Sequence, residues 1–400
     1  IPVNMIEKVE VIRGGGSAIF GSNAVAGTIN ILTKEPTANS ISIGSNLSYI
    51  GMESPDINTN LNASIVSDDN KAGVTLFASS RDRSAYDHDG DGFTEIGLLK
   101  SKNIGFRGFY RTGDYSKLSV EYHTINEFRR GGNNLSLPAH EADITEQTEH
   151  DIHSGGIKYD IFSKNSKHWL QVYTSAQSIK RSSYYGAGKD PNAYGNTDDM
   201  AVVGGMQYVY MMDRCLFMPA SLTSGIEYNY NSLYDEALAY DRVIDQKINI
   251  YSAFIQNEWK DEDFSLLLGA RLDKHNLIKK PIFSPRLNIR YAPWKNITFR
   301  AGYAKGFRAP QAFDEDLHIT AVGGEVAVIR LDPNLEAEHS HSFNFSIDMN
   351  HSRKKSAFNF LIDGFYTMLN DVFMLVEDGH DANGNLLLTR TNGSGAFVRG

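Results

Sequence analysis

The sequence holds a single cysteine, Cys215, in 400 residues, which excludes a disulfide framework and any cysteine-based zinc or iron–sulfur site. It contains no run approaching the ~18 apolar residues of a membrane helix. That excludes helical membrane proteins and leaves spanning strands open. Blocks of Lys and Arg are missing as well. With 39 basic against 48 acidic residues the formal net charge is −9, so nucleic acid is not an expected partner. The opening residues show neither an initiator Met nor a basic stretch followed by an apolar one. The chain opens on Ile1-Pro2-Val3-Asn4 and closes on Val398-Arg399-Gly400 inside an apolar run, so both ends read as cuts in a longer protein. Catalytic spacing is absent too. Gly21-Ser22 and Gly44-Ser45 lack the setting of a nucleophile elbow, and the histidines show no H-E-x-x-H pattern, so no enzyme is expected.

What is present is alternation with period two. From His341 to Asn350, Phe343, Phe345, Ile347 and Met349 share one face, and Ser342, Asn344, Ser346 and Asp348 share the other. Leu287, Ile289 and Tyr291 alternate with Arg286, Asn288 and Arg290, and Ile297, Phe299, Ala301 and Tyr303 alternate with Thr298, Arg300 and Gly302. Short polar turns, such as Asp68–Lys71, Lys164–Ser166 and Trp294–Asn296, alternate with long connections. The long ones fall near Ser84–Leu99, Arg130–His150, Arg181–Met200, Tyr234–Asp245, Lys274–Phe283, Phe307–Glu338 and Glu377–Asn385. The pattern predicts an all-β, antiparallel, up-and-down transmembrane β-barrel of about sixteen strands over 37–400. Arg286, Arg290 and Arg300 suit a wet lumen and not a sandwich core. Trp169, Trp259, Tyr291 and Trp294, near strand ends, suit interfacial girdles.

The first 36 residues follow another grammar. A strand ending in Arg13-Gly14-Gly15-Gly16 leads to Ser17-Ala18-Ile19-Phe20-Gly21-Ser22, and a second strand follows from Gly27 through Asn30 to Lys34. The glycines allow tight turns, and they lack the spacing of a nucleotide-binding loop. These residues, with Arg13, Gly14, Ser17, Gly21, Gly27 and Asn30 as the motif, resemble the end of the plug domain of TonB-dependent outer-membrane receptors. The family has Pro where Gly15 stands and more often Tyr at Phe20. Gly306-Phe307-Arg308-Ala309-Pro310 and Leu331-Asp332-Pro333-Asn334-Leu335 resemble two further family motifs, closest to receptors of the Bacteroidetes type for cobalamin or haem.

The resemblance implies a bacterial outer-membrane receptor whose parent barrel has 22 strands, with the N-terminal part of the plug, its TonB box and the last strands lying outside this chain. It implies import of a large metal chelate, with cobalamin ahead of haem and ferric siderophore. The partners it implies are TonB with its inner-membrane motor, outer-membrane lipid and a surface lipoprotein. A passive porin, or an outer-membrane barrel enzyme, is the alternative.

Two further features bear on ligands. Asp87, Asp89 and Asp91 alternate ahead of Gly92, as in the first half of a Ca²⁺ loop. The twelfth position is Leu98, so Glu95 would have to serve as the fourth carboxylate. No other cofactor is expected. His318, between the two motifs above, offers an imidazole to a haem iron or cobalt. Arg308 and the aromatic rings of Tyr184, Tyr185 and Tyr240 complete the expected ligand-facing set, the tyrosines by stacking on a planar ligand.

Overall fold

The computed structural model describes residues 3–13, 21, 27–187, 189–313, 317, 327–353, 356–382 and 384–400. Two strands, β1 (Ile6–Arg13) and β2 (Gly27–Thr33), form an antiparallel hairpin of their own, with Val9 opposite Ile31 and Arg13 opposite Gly27. The wall then runs through β3 (Ser40–Ile50), β4 (Ser54–Val66), β5 (Ala72–Arg83), β6 (Leu98–Gly113), β7 (Ser116–Gly132), β8 (Ile144–Phe162), β9 (His168–Ala187) and β10 (Tyr194–Cys215). It continues with β11 (Met218–Ala237), β12 (Arg242–Lys260), β13 (Phe264–His275), β14 (Ile282–Trp294) and β15 (Ile297–Arg308). After β16 (Ala327–Leu331) come β17 (Glu338–Arg353), β18 (Ser356–Asn370), β19 (Phe373–His380), β20 (Leu386–Asn392) and β21 (Ala396–Arg399). Sixteen of these make one antiparallel meander, with β3 at one edge and β21 at the other. β16, β19 and β20 form a separate three-stranded sheet, in which β16 lies parallel to β20.

Burial is inverted relative to a water-soluble sheet. Ile43 is 73% exposed, and Leu76, Ile104, Ile226, Leu268 and Phe345 are also exposed, all pointing to one side of the wall. On the other side Thr75, Ser101, Asp160, Arg271 and Ser342 are buried. Soluble proteins expose the charge and bury the grease. A wall that does the reverse is one whose outer solvent is lipid and whose lumen is polar. No helix among the described residues is long and apolar enough to cross a membrane, so strands do the spanning.

Connections alternate as the sequence predicts, with two corrections. The stretches 181–200 and 234–245 are mostly strand, and the connections there shrink to 188–193 and 238–241. β10 has 22 residues, roughly 70 Å at ~3.3 Å per residue, far more than a ~30 Å hydrocarbon layer needs even at a steep tilt. The surplus stands above the membrane with water on both faces, so the apolar alternation that marks a strand fades while the ladder continues. Between β10 and β11 the connection is two residues, Leu216-Phe217, with Leu216 at φ +62°.

The second correction concerns the girdle at the short-turn rim. Phe217 stacks on Trp259 at 5.7 Å, and Tyr291 and Trp294 are exposed there as expected. Trp169 instead turns to the lumen, where its Nε1 donates to Asp160 Oδ1 at 3.0 Å. The ladder pairs Trp169 with Phe162 and Gln171 with Asp160, on the polar face, so register overrides the aromatic preference for the interface.

The β1–β2 hairpin is tied to the wall at β4–β7. Arg107 donates to Thr33 Oγ1 and pairs with Glu121 at 3.4 Å. Lys117 Nζ meets Glu35 Oε1 at 2.7 Å, and Asn4 Nδ2 donates to Asn62 Oδ1 and to the Ala78 carbonyl, both at 3.2 Å.

Candidate functional site

The mouth at the long-loop rim is built by elements that are distant in sequence. Val328 of β16 is fully buried in a cluster with Tyr184, Tyr185, Tyr240, Ala139, Ala193 and Ala237, and Leu387 of β20 packs against it. The small sheet therefore docks on the tops of β9–β12. Tyr184 hydroxyl donates to the Asp190 carbonyl at 3.1 Å, and Tyr240 hydroxyl donates to the Tyr185 carbonyl. Burial pushes the Tyr240 hydroxyl pKa well above its ordinary value, so it stays a donor across the physiological range. The three tyrosines expected to stack on a ligand are thus brought together, and their rings are used to hold the rim in place.

Beneath that cluster lies a buried ionic network that the sequence reading missed. Asp235, 2% exposed, pairs with Arg242 Nη2 at 2.6 Å and with Arg181 Nη2 at 3.5 Å. Thr197 Oγ1 donates to the same carboxylate at 2.5 Å and accepts from Arg181 Nε at 3.1 Å. The register puts Thr197 opposite both Arg181 and Asp235, so β9, β10, β11 and β12 are stitched at one level. Arg242 also donates to the Leu317 carbonyl at 3.2 Å, and Leu317 and Ala312 pack on Leu233. Ala312 and Leu317, which follow β15, are thereby held on this wall.

Arg308 ends β15. Its guanidinium lies 3.9 Å from the Phe313 ring centroid and 5.3 Å from that of Phe373, so it ties the segment after β15 to the start of β19. His318 lies outside the described residues, as do Gly14 and Ser17. Arg13 closes β1 opposite Gly27, Asn30 donates to Glu10 at 3.1 Å, and Gly21 adopts φ +93°, a left-handed conformation that suits glycine.

The acidic loop behaves as one unit. Single oxygens of Asp87, Asp89, Asp91 and Glu95 all fall within 4.8 Å of one another. Backbone amides hold them: Gly90 and Gly92 donate to Asp87 at 2.7 and 2.8 Å, Phe93 to Asp91 at 2.8 Å, and His88 to Glu95 at 2.5 Å. Four converging carboxylates are the donor set of a hard divalent cation.

Comparisons with known proteins place this architecture. Residues 41–400 match the family model for the TonB dependent receptor-like beta-barrel, and residues 1–28 match the TonB-dependent receptor plug domain. The chain belongs to the TonB-dependent receptors. It is an outer-membrane β-barrel protein. A vitamin B12 transporter of Vibrio vulnificus is 25% identical over 329 residues, covering 78% of this chain and 49% of its own length. A ferric enterobactin receptor of Pseudomonas aeruginosa is 22% identical over 442 residues, covering 95% and 56%. The crystal structure of the siderophore receptor PirA from Pseudomonas aeruginosa superposes with TM-score 0.78 at 19% identity, covering all of this chain and 69% of that one. The receptor chain described here thus spans about half the length of the curated relatives it matches.

Proposed function

We propose that this receptor imports a large metal chelate across the outer membrane and draws its energy through TonB acting on the plug. Cobalamin, haem and ferric siderophores are the candidate cargoes. One observation carries the reading: a greasy-outside, charged-inside wall whose mouth is narrowed by loops docked on buried tyrosines and ion pairs, with a plug hairpin bonded to its inner side. A lumen of this kind passes a large solute only if something moves, which separates it from a passive porin. The absence of a nucleotide-binding motif fits an energy source outside the chain.

Binding titrations of the full-length receptor with cyanocobalamin, haemin and ferric enterobactin test the cargo. Submicromolar affinity for one of them, with uptake abolished by a protonophore, is expected. Uptake that survives the protonophore, or open-pore conductance in a planar bilayer, would establish the porin instead. The Asp87–Glu95 loop is further proposed to take a Ca²⁺ ion, which would order an external loop at the rim.

A further inference from the structure

The outer face of β6–β11 carries two adjoining hollows where the lipid-facing band ends. The lower one, of about 460 Å³, lies between β7 and β10. Gly155 on β8 and Thr174, Ala176 and Ser178 on β9 make its floor, and Tyr122, Ile157 and Met200 make its walls. A Cβ at Gly155 would sit 2.8 Å from the Glu121 carbonyl oxygen and 3.4 Å from the Tyr122 ring, so glycine keeps the floor low there. Exposed Ile104, Ile157 and Val172 mark this face as the one turned to lipid.

The upper hollow, of about 800 Å³, begins one row higher. The ladders set Thr124, His153, Ser178 and Met200 in one row and Asn126, Asp151, Lys180 and Asp198 in the next, two residues or about 7 Å along each strand. The long connections lie on that side, so the polar hollow stands at the headgroups of the outer leaflet. A hydrogen-bonded chain marks the boundary. The Tyr122 hydroxyl and His153 Nδ1 are 2.7 Å apart, His153 Nε2 lies 3.3 Å from Asp151 Oδ1, and Asn126 donates to the same oxygen at 2.8 Å.

Basic and acidic side chains are equal in number around the upper hollow, so net charge selects nothing there. Their arrangement does. Lys180 stands between Asp151 and Asp198 in the ladder. Yet Lys100, Lys102, Lys180, Glu149 and Asp198 form no ion pair or side-chain hydrogen bond among the described residues. Donors and acceptors thus interleave unengaged, with the rings of Phe128 and Tyr234 on the two flanks. Such a surface matches a headgroup that presents hydroxyls, phosphate and ring faces together. The apolar hollow directly beneath takes an acyl chain, which makes that headgroup part of a lipid.

We propose that the two hollows form one binding site for a phosphorylated glycolipid of the outer leaflet. Its acyl chain lies along Gly155 and Ala176, and its sugars lie against Lys102, Lys180 and Asp198. The site faces away from the lumen, so it stands apart from the cargo reading above.

The test scores lipids retained by the full-length receptor in native mass spectrometry, with lipid A and phosphatidylglycerol offered in equal amount. The unaltered protein should prefer lipid A by about tenfold. Ala176→Phe, which fills the lower hollow, and Lys102→Ser/Lys180→Ser, which strips donors from the upper one, should each abolish that preference. Lys102→Arg/Lys180→Arg should keep it. Leu268→Phe, at a lipid-facing position outside both hollows, should also leave it unchanged. Only the folded fraction of each variant, which resists SDS on an unheated gel, is scored. Equal retention of the two lipids by the unaltered protein overturns the site, as does a full preference in either the phenylalanine variant at Ala176 or the serine variant. Loss of preference in Leu268→Phe overturns it too, since the retained lipid then belongs to the general shell.

Discussion

Removing the Asp235 carboxylate should loosen the rim without touching the membrane-spanning wall. Asp235 accepts from two buried guanidiniums and a threonine hydroxyl, and one of those guanidiniums, Arg242, also holds the Leu317 carbonyl. Asp235→Ala leaves both arginines buried without their shared anion. Breaking a buried pair from one side costs about 3–5 kcal/mol, more than the pair itself contributes, because the orphaned charge is the dominant cost. If the upper ends of β9–β12 open as a local unit, that cost appears in their opening equilibrium. Each ~1.4 kcal/mol is tenfold, so hydrogen exchange at Thr197, Glu236 and Val243 should quicken by roughly a hundred- to a few thousandfold. The amides of Leu266–Leu268, near the short-turn rim, should not change. Adding Arg242→Met to Asp235→Ala should restore part of the protection, a non-additivity of at least about 1 kcal/mol in the double-mutant cycle. Unchanged exchange at Thr197, or equal quickening at Leu266–Leu268, would refute the reasoning: the first denies the network its role, and the second makes the rim and wall one cooperative unit.

Four further outcomes follow from the same geometry. Leu268→Arg, on the lipid face, should destabilise the refolded barrel by about 2–4 kcal/mol in a urea titration in lipid vesicles. Gly186→Val should displace the Tyr184 ring, since a Cβ there would sit 2.5 Å from that ring, and loosened docking of β16 should appear as faster proteolysis at the rim. Ca²⁺ at 1 mM should stabilise the fold through the Asp87–Glu95 loop by about 1.4 kcal/mol if Kd is ~10⁻⁴ M, read as a raised thermal midpoint, and Asp89→Asn/Asp91→Asn should abolish the shift. Asp143 accepts from Asn133 at 2.8 Å and pairs with Lys189 at 3.1 Å, in that order of effect, and both hold its carboxyl below the usual carboxylate range. The ionised form is the bonded one, so the contact should be fully present above the ordinary carboxylate pKa and be lost only as pH falls through the depressed one. Carbon-13 titration of the Asp143 carboxyl checks this, and a midpoint at or above the ordinary value would contradict it.

What was legible in the sequence is what lipid enforces. Period-two apolarity exists only where one face of a strand meets hydrocarbon, so Phe343 to Met349 and Leu287 to Tyr291 announce their strands, whereas the tops of β9–β12 do not. Arg181, Asp235 and Arg242 fell within stretches read as connections for that reason. Their pairing depends on Thr197 standing opposite both Arg181 and Asp235, a register fixed by ladder geometry over 54 residues of chain and by nothing local. The tyrosines show the same limit from the other side. Tyr184, Tyr185 and Tyr240 were found by composition, but what covers them is Val328, which arrives from a connection far along the chain. The plug motif was legible because it is local: its glycines and its two strands sit within 36 residues, and the register of Arg13 with Gly27 follows from one hairpin. A β-barrel receptor is therefore readable from sequence at its plug and in its lipid-facing band. At the mouth, the side chains that build the rim are brought together by strand register and loop docking, and local sequence does not encode either.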